Sequence, residues 1–469
     1  MKVEQIYTGC LAQGAYYIVS DGEAAIIDPL REVQPYLNKL EVDGVKLKYI
    51  FETHFHADFV SGHVDLKNKT NAEIVYGPTA NPEFEAIIAK DNQVFKIGKI
   101  QIKVLHTPGH TLESTTYLLI DENGKENAIF SGDTLFLGDV GRPDLAQKSS
   151  ELTQEDLAGF LYDSLMNKIM PLPNDIIVYP AHGAGSACGK NMMKETVDTL
   201  GHQKEINYAL NQPNKESFIK AVTDDLLPPP VYFGMNVAMN KKGYNSFDDV
   251  LEKSLKPLNA KEFEATANTI DVVILDTRNA AEFAKAFIPQ SINIGIDGDF
   301  APWVGSLLVD VNQPILIVCD NNREEEVITR LSRVGFDNVL GYLKGGFISW
   351  NKEGFEIDSI STISPEEFVS KVNVGKDVMI DVRKESEYAA QHVDNAYSKP
   401  LAYINSWINS INPENHFYLH CAGGYRSIIA ASILQSRGFR NFTEIVGGFN
   451  AIKNLKIPIT DFVCPSKTL

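Results

Sequence analysis

At 469 residues the chain is too long for a single hydrophobic core, so two to four domains are expected. It is 44% apolar and 22% charged, and no run approaches 18 apolar residues, which argues against a membrane-spanning helix. A net charge of −18 argues against nucleic acid or an anionic membrane as partner, because a phosphate surface would repel it.

The first twenty residues, MKVEQIYTGCLAQGAYYIVS, lack a basic segment followed by an apolar stretch, so no secretory signal is expected. Short apolar runs then alternate with turn signals: YYIVS, AAIIDP, LKYIFETH, AEIVYG, IQIKVLHTPGH, TYLLID, AIFSGD and DIIVYPAHG. They read as strands, several ending abruptly at a polar cluster. TQEDLAGFLYDSLMNKIM, with a Thr cap and apolar residues at helical spacing, predicts a helix from about 153. A second helix is expected to start near Lys190. The layered α/β pattern runs out in LLPPPVYFGMNVAMNKKGY, where three consecutive prolines forbid a regular helix, and a boundary is placed near 245.

The remainder is an internal repeat. VVILDTRNAAEFAKAFIPQSINI at 272–294 matches DVMIDVRKESEYAAQHVDNAYS at 377–398, and the later landmarks Gly335/Gly438 and Gly345/Gly447 keep a similar spacing. Each copy reads strand, helix, strand, helix, which builds a mostly parallel sheet covered on both faces. The expected organisation is therefore an α/β multidomain chain, with domains at 1–245, 246–358 and 359–469.

Seven of the ten histidines lie at or before residue 202, so imidazole chemistry is concentrated at the front. His54, His56 and Asp58 follow LKYIFET, His110 lies in HTPGH, Asp133 in FSGDT and His182 in YPAHG. Each sits where a strand gives way to a turn, so all could converge on one sheet edge as metal ligands. THFHAD, TPGHT, SGDTLF and YPAHG together resemble the metallo-β-lactamase superfamily, its glyoxalase II-like branch in particular. The resemblance implies an αββα sandwich with the metal at one edge.

In two-metal members the residue after the motif aspartate is a histidine, and here it is Phe59. A second ion would have too few protein ligands, so one metal is expected. His63 is the nearby imidazole that could substitute. GDTLFLGDVGRPDL at 132–145 further resembles the one-metal persulfide dioxygenases. That resemblance assigns His54, His110 and Asp133 as ligands of one Fe(II), the two-imidazole, one-carboxylate set that leaves positions open for sulfur and O2. His56, Asp58 and His182 then support the ligands or bound water. Arg142 is either an anchor for a substrate carboxylate or a loop salt bridge. Cys188, in AHGAGSACGKN, is either a persulfide carrier activated by a helix N-terminus and Lys190, or a buried packing residue.

Five cysteines, few, odd in number and far apart, favour a reducing cytoplasm over a disulfide framework. Cys421 opens CAGGYRS between a strand and a helical pattern; two glycines allow inward-pointing N–H groups and Arg426 adds positive charge, which favours a thiolate or persulfide. With the upstream DVR and downstream GGF this resembles the rhodanese family. The first repeat has CDNNREE there, without glycine and rich in acid. Counting back from Gly335 sets Val318 opposite Cys421 and Cys319 one residue out of register, so this copy is expected to be degenerate.

The whole order resembles the bacterial persulfide dioxygenase–rhodanese fusions. It implies oxidation of a low-molecular-weight persulfide (of glutathione, coenzyme A or bacillithiol, or sulfide itself) with O2 to sulfite, then sulfur transfer giving thiosulfate; a homo-oligomer is expected because large α/β enzymes often pair as symmetric dimers. The alternative is a glyoxalase II-like zinc thioester hydrolase with an accessory sulfurtransferase domain.

Overall fold

Alternation of apolar and polar side chains along the front of the chain builds two six-stranded sheets, since successive residues of a strand face opposite sides. The structure is a computed structural model and describes residues 1–145, 151–269 and 271–464. The first sheet runs in the order β1 (Lys2–Thr8), β2 (Gln13–Ser20), β3 (Glu23–Ile27), β4 (Lys46–Phe51), β5 (Glu73–Tyr76), β6 (Ile87–Ile88). The second contains β7 (Val94–Ile97), β8 (Ile100–His106), β9 (Thr115–Ile120), β10 (Glu126–Gly132), β11 (Ile177–Pro180) and β12 (Asp198–Thr199), again in sequence order. Pairing is antiparallel except β3–β4–β5–β6 and β10–β11.

Tyr16, Ile18, Phe51, Val104, Tyr117 and Phe130 form the layer between the sheets. Their neighbours Tyr17 and Ile50 face the other way, into a cluster with Tyr36 and Leu40 of helix Gln34–Asp43 and Leu66 of helix His63–Thr70. Leu118 and Ile129 do the same against Leu161 of helix Gln154–Ser164 and Phe218 of helix Lys215–Thr223. The expected αββα sandwich is thus present. Each buried aromatic of the middle layer contributes about 2–3 kcal/mol by leaving water.

Thr153 caps its helix as expected, with reciprocal bonds to Asp156. Two local expectations fail. No helix begins near Lys190; the chain is irregular there until β12, and the next helix is Leu200–Ile206. And although the three prolines are non-helical, helix Phe233–Lys242 starts just after them, because proline restricts only itself and its predecessor.

Two compact units result: Met1–Asp249 with Ser332–Gly335, and Val250–Leu331 with the chain from Phe336 on. The second unit holds the repeat. Its first copy is a five-stranded sheet of β13 (Pro257–Leu258), β14 (Val273–Asp276), β15 (Ile292–Asn293), β16 (Ile315–Val318) and β17 (Val339–Leu343), in the order β13-β17-β16-β14-β15. The second copy, β18 (Thr362–Ile363), β19 (Val378–Asp381), β20 (Tyr397–Ser398), β21 (Phe417–His420) and β22 (Phe442–Ile445), repeats that order as β18-β22-β21-β19-β20. All pairings in both are parallel. Each copy locks the end of the strand beside its central one, β14 or β19, with one ion pair. Asp276 takes the Arg278 fork and Asp381 the Arg383 fork, each at 2.6 Å, and each guanidinium lies 4.2 Å from the ring of Phe347 or Phe449. The copies also touch: the Tyr425 hydroxyl donates to the Gly295 carbonyl at 2.8 Å, and the Asn293 amide to Ser432 Oγ at 3.0 Å. Among the described residues no helix is long and apolar enough to cross a membrane.

Candidate metal centre and sulfur loop

Four strands of the sandwich end at one edge and deliver the polar residues there. β4 leads into Thr53–Asp58, β8 into His110, β10 into Asp133 and β11 into His182. Nε2 of His110 lies 3.3 Å and Nε2 of His54 3.9 Å from Asp133 Oδ2, while Asp133 Oδ1 is 3.6 Å from His182 Nε2. The donor atoms of His54, His110 and Asp133 all lie within 4.8 Å of one another, and all three residues are buried.

Backbone and side-chain partners fix which ring nitrogen points inward. His110 Nδ1 bonds the Arg142 carbonyl at 2.9 Å, so it carries the proton and Nε2 keeps its lone pair. Thr53 Oγ1 donates its one proton to Asp28 Oδ2 (2.9 Å) and therefore accepts from His54 Nδ1 at 3.0 Å, which frees His54 Nε2 in the same way. Burial, aided by the neighbouring imidazoles, holds His54 well below its ordinary pKa and thus in the ligand form. Both Asp133 oxygens and His110 Nε2 are buried without a hydrogen-bond partner. Such groups cost several kcal/mol each unless a cation balances them, so the donor set fits a divalent metal.

The other candidates fall into place around this triad. His182 Nε2 is 3.4 Å from Asp58 Oδ2, and His56, Asp58 and His182 form a second buried group. His56 Nε2, however, turns to Asp28 at 3.0 Å and Glu52 at 3.4 Å. Burial opposes its charge, but the two carboxylates prevail and raise its pKa well above the ordinary value. Phe59 is fully buried and stacks on His56 at 4.3 Å between centroids, with His182 at 6.5 Å, so an apolar ring borders this second group. His63 is not among the convergent donors: it pairs with Glu52 at 3.1 Å amid Tyr76, Phe84 and Tyr244. The Asp28–Thr53–His54 chain, with partners 25 residues apart, escaped the motif reading.

The contacts bear on the alternatives held open for Arg142 and Cys188. The Arg142 fork is bound to Asp144 (2.6 and 2.8 Å) and to the carbonyls of Ala187 and Leu227 (3.1 and 2.5 Å), so it holds loops together and is not presented to a substrate carboxylate. Cys188 does reach the centre, its sulfur lying within 4.8 Å of Asp133 and His182 donor atoms. Its thiol is not activated as foreseen. Burial, then Asp58 and Asp133, push its pKa well up; no helix starts beside it, and the Lys190 ammonium turns to the Ala221 and Asp224 carbonyls.

Backbone approach makes one position of this edge intolerant. A Cβ at Gly141 would fall 1.9 Å from the Asp133 carbonyl oxygen and 3.0 Å from His110 Nδ1. Gly141→Ala is expected to displace both residues and to lower bound metal per chain by more than about tenfold in affinity, measured by elemental analysis after dialysis against chelator.

In the second repeat, Cys421 is buried where β21 ends. Gly424 N–H donates to its sulfur at 3.1 Å from a left-handed conformation (φ 105°) that glycine adopts without strain. Arg426 is taken up by Glu387 in a two-pronged pair at 2.5 and 2.9 Å, so its charge reaches the loop already partnered. The register of Cys319 needs correction. Asp276 pairs with Val318 as Asp381 pairs with His420, so Cys319 occupies the same strand-end position as Cys421. Counting from the helix side misled because the first copy changes length inside the loop. Its chemistry still differs: burial, together with Glu324, Asp320 and Asp276, pushes the Cys319 thiol up to about 12.

Residues 8–182 match the Metallo-beta-lactamase superfamily, and 259–353 and 364–455 match the Rhodanese-like domain. A metallo-beta-lactamase structure from Staphylococcus aureus is 32% identical and covers 73% of this chain and 98% of its own, with a TM-score of 0.66. Human mitochondrial persulfide dioxygenase ETHE1 is 28% identical over 231 residues, 48% of this chain and 82% of that protein. A probable hydroxyacylglutathione hydrolase of Schizosaccharomyces pombe is 33% identical over 163 residues, 34% of this chain and 59% of that protein. The chain spans 59%, 64% and 60% of the length of three such hydrolases.

Proposed function

The chain belongs to the metallo-β-lactamase superfamily and continues into two rhodanese-like domains, and from that premise we propose that it is a persulfide dioxygenase with a coupled sulfurtransferase. What supports the reading most is the pairing of an inward-facing His54–His110–Asp133 set with an apolar ring, Phe59, against the neighbouring group. Two imidazoles and a carboxylate suit Fe(II), which when bound would supply the one-electron chemistry that joins O2 to sulfur. The protein's own part is to hold both imidazoles in the ligand tautomer, through Thr53 and the Arg142 carbonyl.

The net reaction is RSSH + O2 + H2O giving RSH, sulfite and two protons. Sulfite then takes the outer sulfur of a Cys421 persulfide, forming thiosulfate and returning the thiol. Tethering the two activities raises the local sulfite concentration at the second. The persulfide's carrier thiol is left as a small-molecule class, and a homodimer is the proposed assembly.

A zinc thioester hydrolase is favoured by one observation, the 33% identity to hydroxyacylglutathione hydrolases. Metal analysis with O2 uptake separates the two readings. About one iron per chain and O2 consumption on glutathione persulfide are expected; two tightly bound zinc ions with thioester turnover would replace the proposal by the hydrolase.

A further inference from the structure

Glu444 is a buried acid. It lies on β22, pairs in the sheet with Thr362 and Leu419, and is 2% exposed. Its Oε1 is 2.7 Å from Ser427 Oγ, on the helix that follows the Cys421 loop. That same hydroxyl lies 3.4 Å from Cys421 Sγ and 3.1 Å from the Gly424 carbonyl. The first copy has no counterpart: Tyr342 holds the position of Glu444, as the pairings Pro257–Tyr342 and Thr362–Glu444 show. The acid is confined to the copy with the glycine loop.

We propose that Glu444 is a positioning residue for sulfur transfer, acting through Ser427 on the sulfur of Cys421. A hydroxyl has one proton to give. When Glu444 is ionised it claims that proton, and Ser427 can only accept from the sulfur side. When Glu444 is protonated it donates to Ser427, and Ser427 donates onward to Sγ. The second arrangement matters in the transfer step. The acceptor's electron pair forms a bond to the outer sulfur, the S–S bond breaks, and its electron pair collects on Sγ. Two donors, Ser427 O–H and Gly424 N–H, then meet the developing thiolate.

The groups facing Glu444 leave it sensitive to pH in the useful range. Burial is the dominant influence and raises it to about 7, while the Ser427 bond opposes. No charged side chain contributes to that balance; Arg426 on the same helix is engaged by Glu387, Asp381 by Arg383, and the buried His420 is held below its ordinary value. The sign follows. Folded Glu444 holds its proton above the unfolded value, so its contribution to stability is full below about pH 4.5 and is lost as pH rises through about 7.

The inference rests on the sulfurtransferase reading for its role, and its test has a part that does not. In the full chain, thiosulfate-to-cyanide transfer should fall about tenfold as pH rises through about 7. Glu444→Gln, whose amide can donate to Ser427 at every pH, should hold the upper plateau and lose the inflection. Ser427→Ala should sit on the lower plateau throughout, and the double variant should match it. An inflection that survives either substitution overturns the proposal. If the chain shows no sulfur transfer at all, the infrared carboxyl band lost in Glu444→Gln still reads the link. Its titration midpoint should move when Cys421 is converted to the persulfide or changed to serine, and an unmoved midpoint also overturns it.

Discussion

Asp133→Ala is expected to strip the sandwich of its metal and to lower persulfide-dependent O2 uptake by more than about 100-fold, beyond what loss of an outer hydrogen bond costs. One Asp133 oxygen faces His54 and His110 and the other faces His182, so this side chain is where the two buried donor groups meet. His54→Ala and His110→Ala should act in the same direction through a single ligand each. Stability gives a second readout. Without metal the wild type buries unpartnered carboxylate oxygens and imidazole nitrogens, so metal-free Asp133→Ala should melt no lower than metal-free wild type, while metal should raise the melting temperature of wild type alone. Thiosulfate-to-cyanide transfer should be untouched in all three. Retention of iron by Asp133→Ala would remove it from the ligand set.

Cys421→Ser should abolish sulfur transfer to cyanide, and fed with persulfide the chain should then accumulate sulfite in place of thiosulfate. Cys319→Ser should change neither. The two cysteines share a position in their sheets, so the contrast tests loop chemistry and nothing else. Gly424 N–H points at the Cys421 sulfur, whereas Cys319 faces Glu324 and Asp320, whose charge opposes a sulfur anion. Mass spectrometry after brief thiosulfate treatment should find about 32 daltons, one sulfur atom, on Cys421 only. The same addition on Cys319 would make the first copy a working sulfurtransferase.

Much of this was legible in the sequence because strand periodicity is local. The apolar runs ending in His54, His110, Asp133 and His182 announce both the sheets and their shared edge. Contacts between distant segments were not. Nothing in ETHFHAD says that Thr53 is bonded to Asp28, or that Arg142 is consumed by Asp144 and two carbonyls. β1 carries no strand signal because KVEQIYT mixes charge with apolar residues, as a strand with no fully buried position does. The Cys319 register failed because helix landmarks cannot report a length change inside the loop that precedes them.

The hydroxyl of Tyr425, at the first turn after the Cys421 loop, is held by the backbone of the first copy, and Asn293 of that copy grips Ser432 two turns further along the same helix. The first copy is thereby a buttress for that helix. The proposed sulfur transfer would turn a persulfide into a bare thiol and back, a change in length of one atom at the foot of this helix. A helix tethered at two points along its length resists sliding to accommodate that change. For this role such a partner needs only its shape and a few backbone groups, whatever its own cysteine loop does.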